Sequence, residues 1–210
     1  MAAPKLTITK KRIQNHFQYY WWQYALLLVI AIFGWNLIYT TTRYRSPEHL
    51  KVEWYYEGAT SEYTQQLADE LLAEVTPQLF PDMEEVTFML VGMDEQYGQM
   101  QLMVWSAAGQ GDLYMLPEES FASLAGGMLC DLQPYIDNGT LNVDGIDLTD
   151  GYITDTETGE RYLVGIPTDS LKGLLNYHID PSGKMMGLLI TGGNIDNTAK
   201  LMGYLLDNMR

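Results

Sequence analysis

The stretch that most constrains this chain runs from Tyr19 to Tyr39, YYWWQYALLLVIAIFGWNLIY. Its 21 residues carry no formal charge, and only Gln23 and Asn36 interrupt their apolar character. As a helix it extends roughly 31 Å, close to the thickness of a bilayer's hydrocarbon core. Hydrocarbon offers no partner to backbone amides, and a helix satisfies them internally. Tyr19, Tyr20, Trp21, Trp22 and Tyr24 crowd one end, and Trp35 and Tyr39 the other. Such aromatic belts are expected at headgroup depth. The sequence therefore predicts a transmembrane helix over residues 19–39. A cleaved secretory signal has a shorter apolar run and small residues before its cleavage site. Here Leu37, Ile38, Tyr39 and three threonines follow one another instead, and the only cysteine is Cys130. The anchor is expected to be retained.

Charge orients the anchor. Lys5, Lys10, Lys11 and Arg12 precede it without a single acid, whereas all 27 acidic residues follow it against eight basic ones, a net −19. The positive-inside rule places the leader, residues 1–18, in the cytoplasm and the rest outside. Arg43 and Arg45 weaken that bias without reversing it. After a linker over 40–49, where Pro47 discourages helix, residues 50–210 suffice for one domain with a real core. A single cysteine excludes an internal disulfide framework. The acidic excess argues against nucleic acid and against anionic lipid headgroups as partners.

Periodicity then orders the outer domain. Leu50, Val52, Trp54 and Tyr56 alternate as one buried strand face. A helix follows over Glu62–Thr76, which Pro77 and Pro81 help to end. Val86–Val91 is a nearly continuous apolar run, suited to a strand covered on both faces. Asp94–Ala108 is a second helix, with Tyr97, Met100, Val104 and Ala107 on one stripe. Asp112–Leu116 reads as a strand, Pro117 opens a third helix, and Gly126-Gly127 ends it. Alternating strand and helix is the pattern of a parallel sheet with helices packed across it. Tyr152-Ile153 and Tyr162–Ile166 flank Asp155-Thr-Glu-Thr-Gly159 as a hairpin. Leu171–Tyr177 and Met186–Thr191 read as further strands, and Ile195–Met209 as a closing helix with Ile195, Ala199, Met202, Leu205 and Leu206 apolar.

The chemistry-bearing residues point away from an enzyme. Of the three histidines, His16 precedes the anchor and His49 lies in the linker, leaving His178 alone in the domain. One histidine makes neither a metal site nor a triad. Cys130 between Leu129 and Asp131 reads as a structural thiol, and Gly109-Gln-Gly111 lacks the companions of a phosphate loop. Asn142, Asp144, Asp147 and Asp150 do not follow calcium-loop spacing. Seven of the 20 Tyr and Trp residues belong to the membrane belts, and core packing accounts for most of the others. No cofactor and no metal is implied.

Three stretches converge on a family. Gly111-Asp-Leu-Tyr-Met-Leu-Pro-Glu-Glu with Leu124-Ala-Gly-Gly-Met-Leu-Cys-Asp-Leu-Gln-Pro-Tyr-Ile136, then Tyr162-Leu-Val-Gly-Ile-Pro-Thr-Asp169 with Leu174-Leu-Asn-Tyr177, then Leu189-Ile-Thr with Asn197–Leu206, follow one another in order. Together they resemble bacterial extracellular solute-binding proteins of ABC importers, of the type II periplasmic-binding class. That family has two α/β lobes with the ligand between them. Here about a dozen residues separate Tyr177 from the Leu189 strand, where the family inserts most of its second lobe, and a transmembrane helix replaces the lipid-bearing cysteine. The resemblance thus implies an α/β fold with one lobe, a mostly parallel sheet and flanking helices, on a membrane tether. Open α/β sheets bind ligand beyond the carboxyl ends of their strands, which selects Tyr56, Glu57 and Met115. The resemblance adds Thr168, Asp169 and Tyr177. It also implies a small solute such as a sugar or peptide and an ABC permease or other membrane protein as partner. The alternative is an assembly subunit that keeps the fold without the ligand.

Overall fold

The computed structural model describes residues 10–44, 46–91, 95–155 and 158–210. Residues 1–9 of the leader, the helix start at Asp94, and Thr156 and Glu157 of the hairpin turn lie outside the described residues. The chain divides into two compact units, Met1–Arg45 and Ser46–Arg210.

The described residues of the first unit form one helix, α1 (Lys10–Thr42). Its segment Ile13–Thr42 is long and apolar enough to cross a membrane. From Leu26 to Tyr39 its large apolar side chains are exposed along the whole length, so no side of the helix is a protein core. Thr40, Thr41 and Thr42 turn their hydroxyls back onto the carbonyls of Asn36, Leu37 and Ile38, satisfying acceptors at the helix end.

The second unit runs β1 (Lys51–Glu57), α2 (Thr64–Leu79), β2 (Glu85–Val91), α3 (Glu95–Ala107), β3 (Leu113–Pro117), α4 (Glu118–Ala125), α5 (Gln133–Asp137), β4 (Tyr152–Thr154), β5 (Arg161–Leu163), β6 (Ile166–Pro167), β7 (Lys184–Leu188) and α6 (Ile195–Asn208). The main sheet has the order β2-β1-β3-β7-β6. β1 pairs parallel with β2 and β3, while β7 is antiparallel to both β3 and β6. Four of the five strands therefore point one way, and the fold is α/β with a mostly parallel sheet and flanking helices. β4 and β5 form the separate antiparallel hairpin that the Asp155–Gly159 turn predicts.

Both faces of the sheet are covered. On one, Val52, Trp54, Tyr56, Met115, Met186 and Leu188 meet Ala68, Leu71 and Val75 of α2 and Ala199, Met202 and Leu205 of α6. On the other, Tyr55, Tyr114, Leu116 and Met185 meet Leu102 of α3 and Phe121 and Leu124 of α4. The Gly111-Asp112 pair joins the amino ends of two strands. Asp112 Oδ2 accepts the Glu53 amide at 2.8 Å, and Glu53 Oε2 accepts the Gly111 amide at 3.1 Å. Gly111 sits at φ +84°, and a Cβ there would press into the Tyr55 ring, so glycine is required.

Five expectations are corrected. α2 continues through Pro77 to Leu79, because proline removes only one amide in the final turn, and Phe80 N still donates to the Thr76 carbonyl. β2 is not covered on both faces: it is the outer strand, with Met89 exposed, whereas the strands buried along both faces are the inner β3 and β7. α3 buries Leu102 and Ser106 and half-buries Trp105, while the stripe Tyr97, Met100, Val104 and Ala107 faces outward. The helix has two apolar stripes, and periodicity does not choose between them. Lys172–Tyr177 is a 3-10 helix rather than a strand, held by the Gly173 amide donating to the Met209 carbonyl at 2.7 Å. The strand expected at Met186–Thr191 runs from Lys184 to Leu188, starting two residues earlier because Lys184 pairs with Pro117.

Candidate functional site

The carboxyl ends of β1, β3 and β6 lie on one edge of the sheet, where the chain leaves each strand as a loop or helix. The candidate residues divide there by burial. Tyr56 is fully buried: its ring stacks on Phe88 at 5.9 Å, and its hydroxyl accepts the Asp180 amide at 3.1 Å. The same hydroxyl donates toward the Asp180 carbonyl at 3.3 Å. Burial pushes this phenol above its ordinary range. Thr168 is also fully buried, its hydroxyl donating to the Pro181 carbonyl at 2.7 Å. Met115 lies in the core between Tyr56 of β1 and Met186 of β7. Glu57, half-buried, ends β1. Asp169 is exposed and accepts the Gly183 amide at 3.0 Å. Tyr177, half-buried, closes the 3-10 helix and packs against the core.

One short segment gathers three of these residues. Tyr56 bonds Asp180, Thr168 bonds Pro181 and Asp169 bonds Gly183. The loop Asp180–Gly183 is thus pinned at the carboxyl edge, and Asp180 Oδ1 closes it by accepting the Ser182 amide at 2.9 Å. Hydrogen bonds from Ser182, and the nearby Lys184 ammonium, hold the Asp180 carboxyl below its usual range. Next in the chain stands Lys184, a cation only 7% exposed. Its Nζ lies 5.6 Å over the Tyr56 ring, within cation–π range, and 3.4 Å from the Ser182 carbonyl. Sequence reasoning missed Lys184 because a lysine's burial is decided by neighbours distant in the chain. Asp180-Pro-Ser-Gly183 at least carried a turn signal.

Around this edge stand the carboxylates of Glu57, Asp169 and Asp180, with Glu118 and Glu119 opening α4 directly after β3. Beside them a groove of about 710 Å³ runs between α4 and the hairpin, lined by Glu118, Phe121, Asp150, Tyr152 and Met185 among others. A second hollow of about 510 Å³ shares Ala125, Ile153 and Val164 with it. This edge offers hydrogen-bond acceptors, one buried cation and aromatic flanks. Those are means of holding a polar molecule.

Reactive groups are otherwise engaged. His178 Nδ1 lies 2.7 Å from Ser61 Oγ, and burial pushes the Cys130 thiol upward, away from the thiolate. In the acidic stretch, Asn142 and Asp147 cap the backbone amides of Asp144 and Thr149. Among the described residues no three His, Cys, Asp or Glu side chains are grouped to hold a metal ion.

No family model and no curated protein matches the sequence. Among solved structures, the chain is similar to an extracellular solute-binding protein family 1 member from Alicyclobacillus acidocaldarius (20% identity over 56% of this chain and 28% of that one, TM-score 0.41). It is similar to a cyclo/maltodextrin-binding protein complexed with maltotetraose (22%, 60% and 30%, TM-score 0.38). A maltose-bound MalE3 of T. maritima is similar too (19%, 62% and 33%, TM-score 0.38). The chain spans a third or less of the length of each of these structures.

Proposed function

We propose that this chain is a membrane-anchored, extracellular binding module: one lobe of solute-binding-protein type, working beside an importer permease or another membrane protein. The observation that carries this reading is the joining of two unlike units in one chain. One is a helix long and apolar enough to span a bilayer, and the other is an acidic α/β unit with its own core. The order of the family-like motifs and the polar carboxyl edge support the binding role. The basic leader is read as cytoplasmic and the acidic unit as extracellular. No catalytic step is assigned.

A single lobe touches its ligand from one side. A micromolar site is worth about 8 kcal/mol, and losing half of that leaves affinity near or above the millimolar range. Calorimetry on residues 46–210 against sugars and short peptides is therefore expected to show weak heats or none. A micromolar ligand for the monomer would refute the single-sided reading. The second reading, an assembly subunit without a ligand, is favoured by the burial of Tyr56, Met115 and Thr168, which spends half of the candidate contacts on packing. It predicts no solute binding even with the membrane partner present.

A further inference from the structure

The groove between α4 and the hairpin is bounded by an edge of backbone. Its two hollows, of about 710 and 510 Å³, share Ala125, Ile153 and Val164 and so form one trough. Side chains alternate along a strand, so a hollow over one face of β4 would meet every second residue. Residues 149–155 instead line the trough without a gap, while β5 contributes Tyr162 and neither of its neighbours. The trough therefore follows the outer edge of β4.

The hydrogen-bond register identifies the groups on that edge. The Val164 amide donates to the Gly151 carbonyl at 3.0 Å, and the Asp155 amide to the Glu160 carbonyl at 2.8 Å. Residues 151, 153 and 155 thus turn their backbone toward β5, and Tyr152 and Thr154 turn theirs away from it. Leu163, opposite Tyr152, likewise points outward, its carbonyl accepting the Leu132 amide at 2.7 Å. Among the described residues nothing bonds the amides or carbonyls of Tyr152 and Thr154. An unpaired strand edge is a template for a further strand.

Floor and charge narrow the occupant. Phe121, Ala125, Leu129, Val164 and Met185 make a buried, apolar floor. Carboxylates stand at both ends, Glu118, Glu119 and Asp150 around the larger hollow and Asp131 and Asp155 around the smaller. None of the described lining residues is basic. Arg161, the hairpin's own cation, lies over the Tyr152 ring at 4.6 Å, on the face opposite Tyr162. A second copy's acidic unit would bring like charge to this rim.

We propose that the trough receives an extended segment of a partner protein that carries lysine or arginine, added as a third strand beside β4. The floor takes its apolar side chains, the terminal carboxylates take its cations, and the outward groups of Tyr152 and Thr154 pair with its backbone. The Asp180 loop lines neither hollow, so this surface is separate from the solute-binding reading.

The test holds the full chain in phosphatidylcholine nanodiscs and titrates a fluorescent, capped hexapeptide alternating lysine and valine. Saturable binding below about 1 mM is expected. Hydrogen exchange should slow at the Tyr152 and Thr154 amides and stay unchanged at Ile153, which β5 already holds. Two further peptides carry N-methyl groups, one on its lysines and one on its valines. One of the two should fail to bind, because only one set of amides faces β4. Glu118→Gln with Glu119→Gln, both exposed, should weaken binding about fivefold. The exchange pattern is read on the unaltered chain and stands even if that variant misfolds. No saturation by about 1 mM, equal binding of a glutamate–valine hexapeptide, binding of both methylated forms, or binding without protection at Tyr152 and Thr154 would each overturn the proposal. A peptide of residues 1–12 that outcompetes the probe and protects the same amides would give the trough to the chain's own basic leader and overturn the partner reading.

Discussion

Replacing Tyr56 with phenylalanine separates a structural hydroxyl from a ligand-binding one. The substitution keeps the ring, its stacking on Phe88 and its place under Lys184, and removes only the oxygen. That oxygen accepts the Asp180 amide at 3.1 Å and holds the loop that Thr168 and Asp169 also grip. A lost hydrogen bond is worth about 1 kcal/mol, and an amide left unpaired away from water raises the loss to about 2 kcal/mol. In a unit of this size each kcal/mol lowers Tm by about 2–4 °C, so a fall of roughly 4–8 °C is expected. Thermal unfolding of residues 46–210, followed by circular dichroism at neutral pH, measures it, with urea unfolding as a check on ΔG. Thr168→Val, which removes the neighbouring bond to Pro181, should behave alike. An unchanged Tm for Tyr56→Phe would refute the reasoning. The hydroxyl would then be free of the loop and available to a ligand.

Gly203→Ala should destabilise the unit, although alanine in a helix interior ordinarily stabilises by about 1 kcal/mol. A Cβ there would run into the Thr140 carbonyl, so a raised Tm in a thermal melt would contradict the packing of α6. Asp180 titrates below its ordinary range, so its contribution is present above the unfolded carboxylate value and is lost as pH falls through the lower folded value. The Tm gap between the wild-type unit and Asp180→Asn should therefore be widest near neutrality and close below about pH 4. A gap independent of pH would refute that assignment. For topology, protease added to intact cells should remove the chain beyond about Thr42, and protection until lysis would reverse the proposed orientation.

Local pattern determined much of this protein. Twenty-one uncharged residues with aromatic ends have few options besides a long apolar helix. Alternation at Val52, Trp54 and Tyr56 set the inner face of β1, and the 3.6-residue stripe of Ala199, Met202, Leu205 and Leu206 set that of α6. Asp155 and Gly159 marked the hairpin, and Gly111 the tight joint ahead of β3. These features depend on the residues' own conformational limits or on a single clear periodicity. Of the candidate site, the edge of the sheet was legible, because strand and helix alternation implies where strands end.

Tertiary structure decided the rest. Which strand lies outermost depends on pairing between segments far apart in sequence, so Val86–Val91 reads as central yet forms the border. Lys184 is buried because Tyr56, Gly58 and the Asp180 loop close around it, and no neighbour in sequence announces that. α3 carries two apolar stripes, of which the sheet takes Leu102 and leaves Met100 and Val104 to solvent. A residue's own preferences state what it can bury, but only the partner surface determines what it does bury.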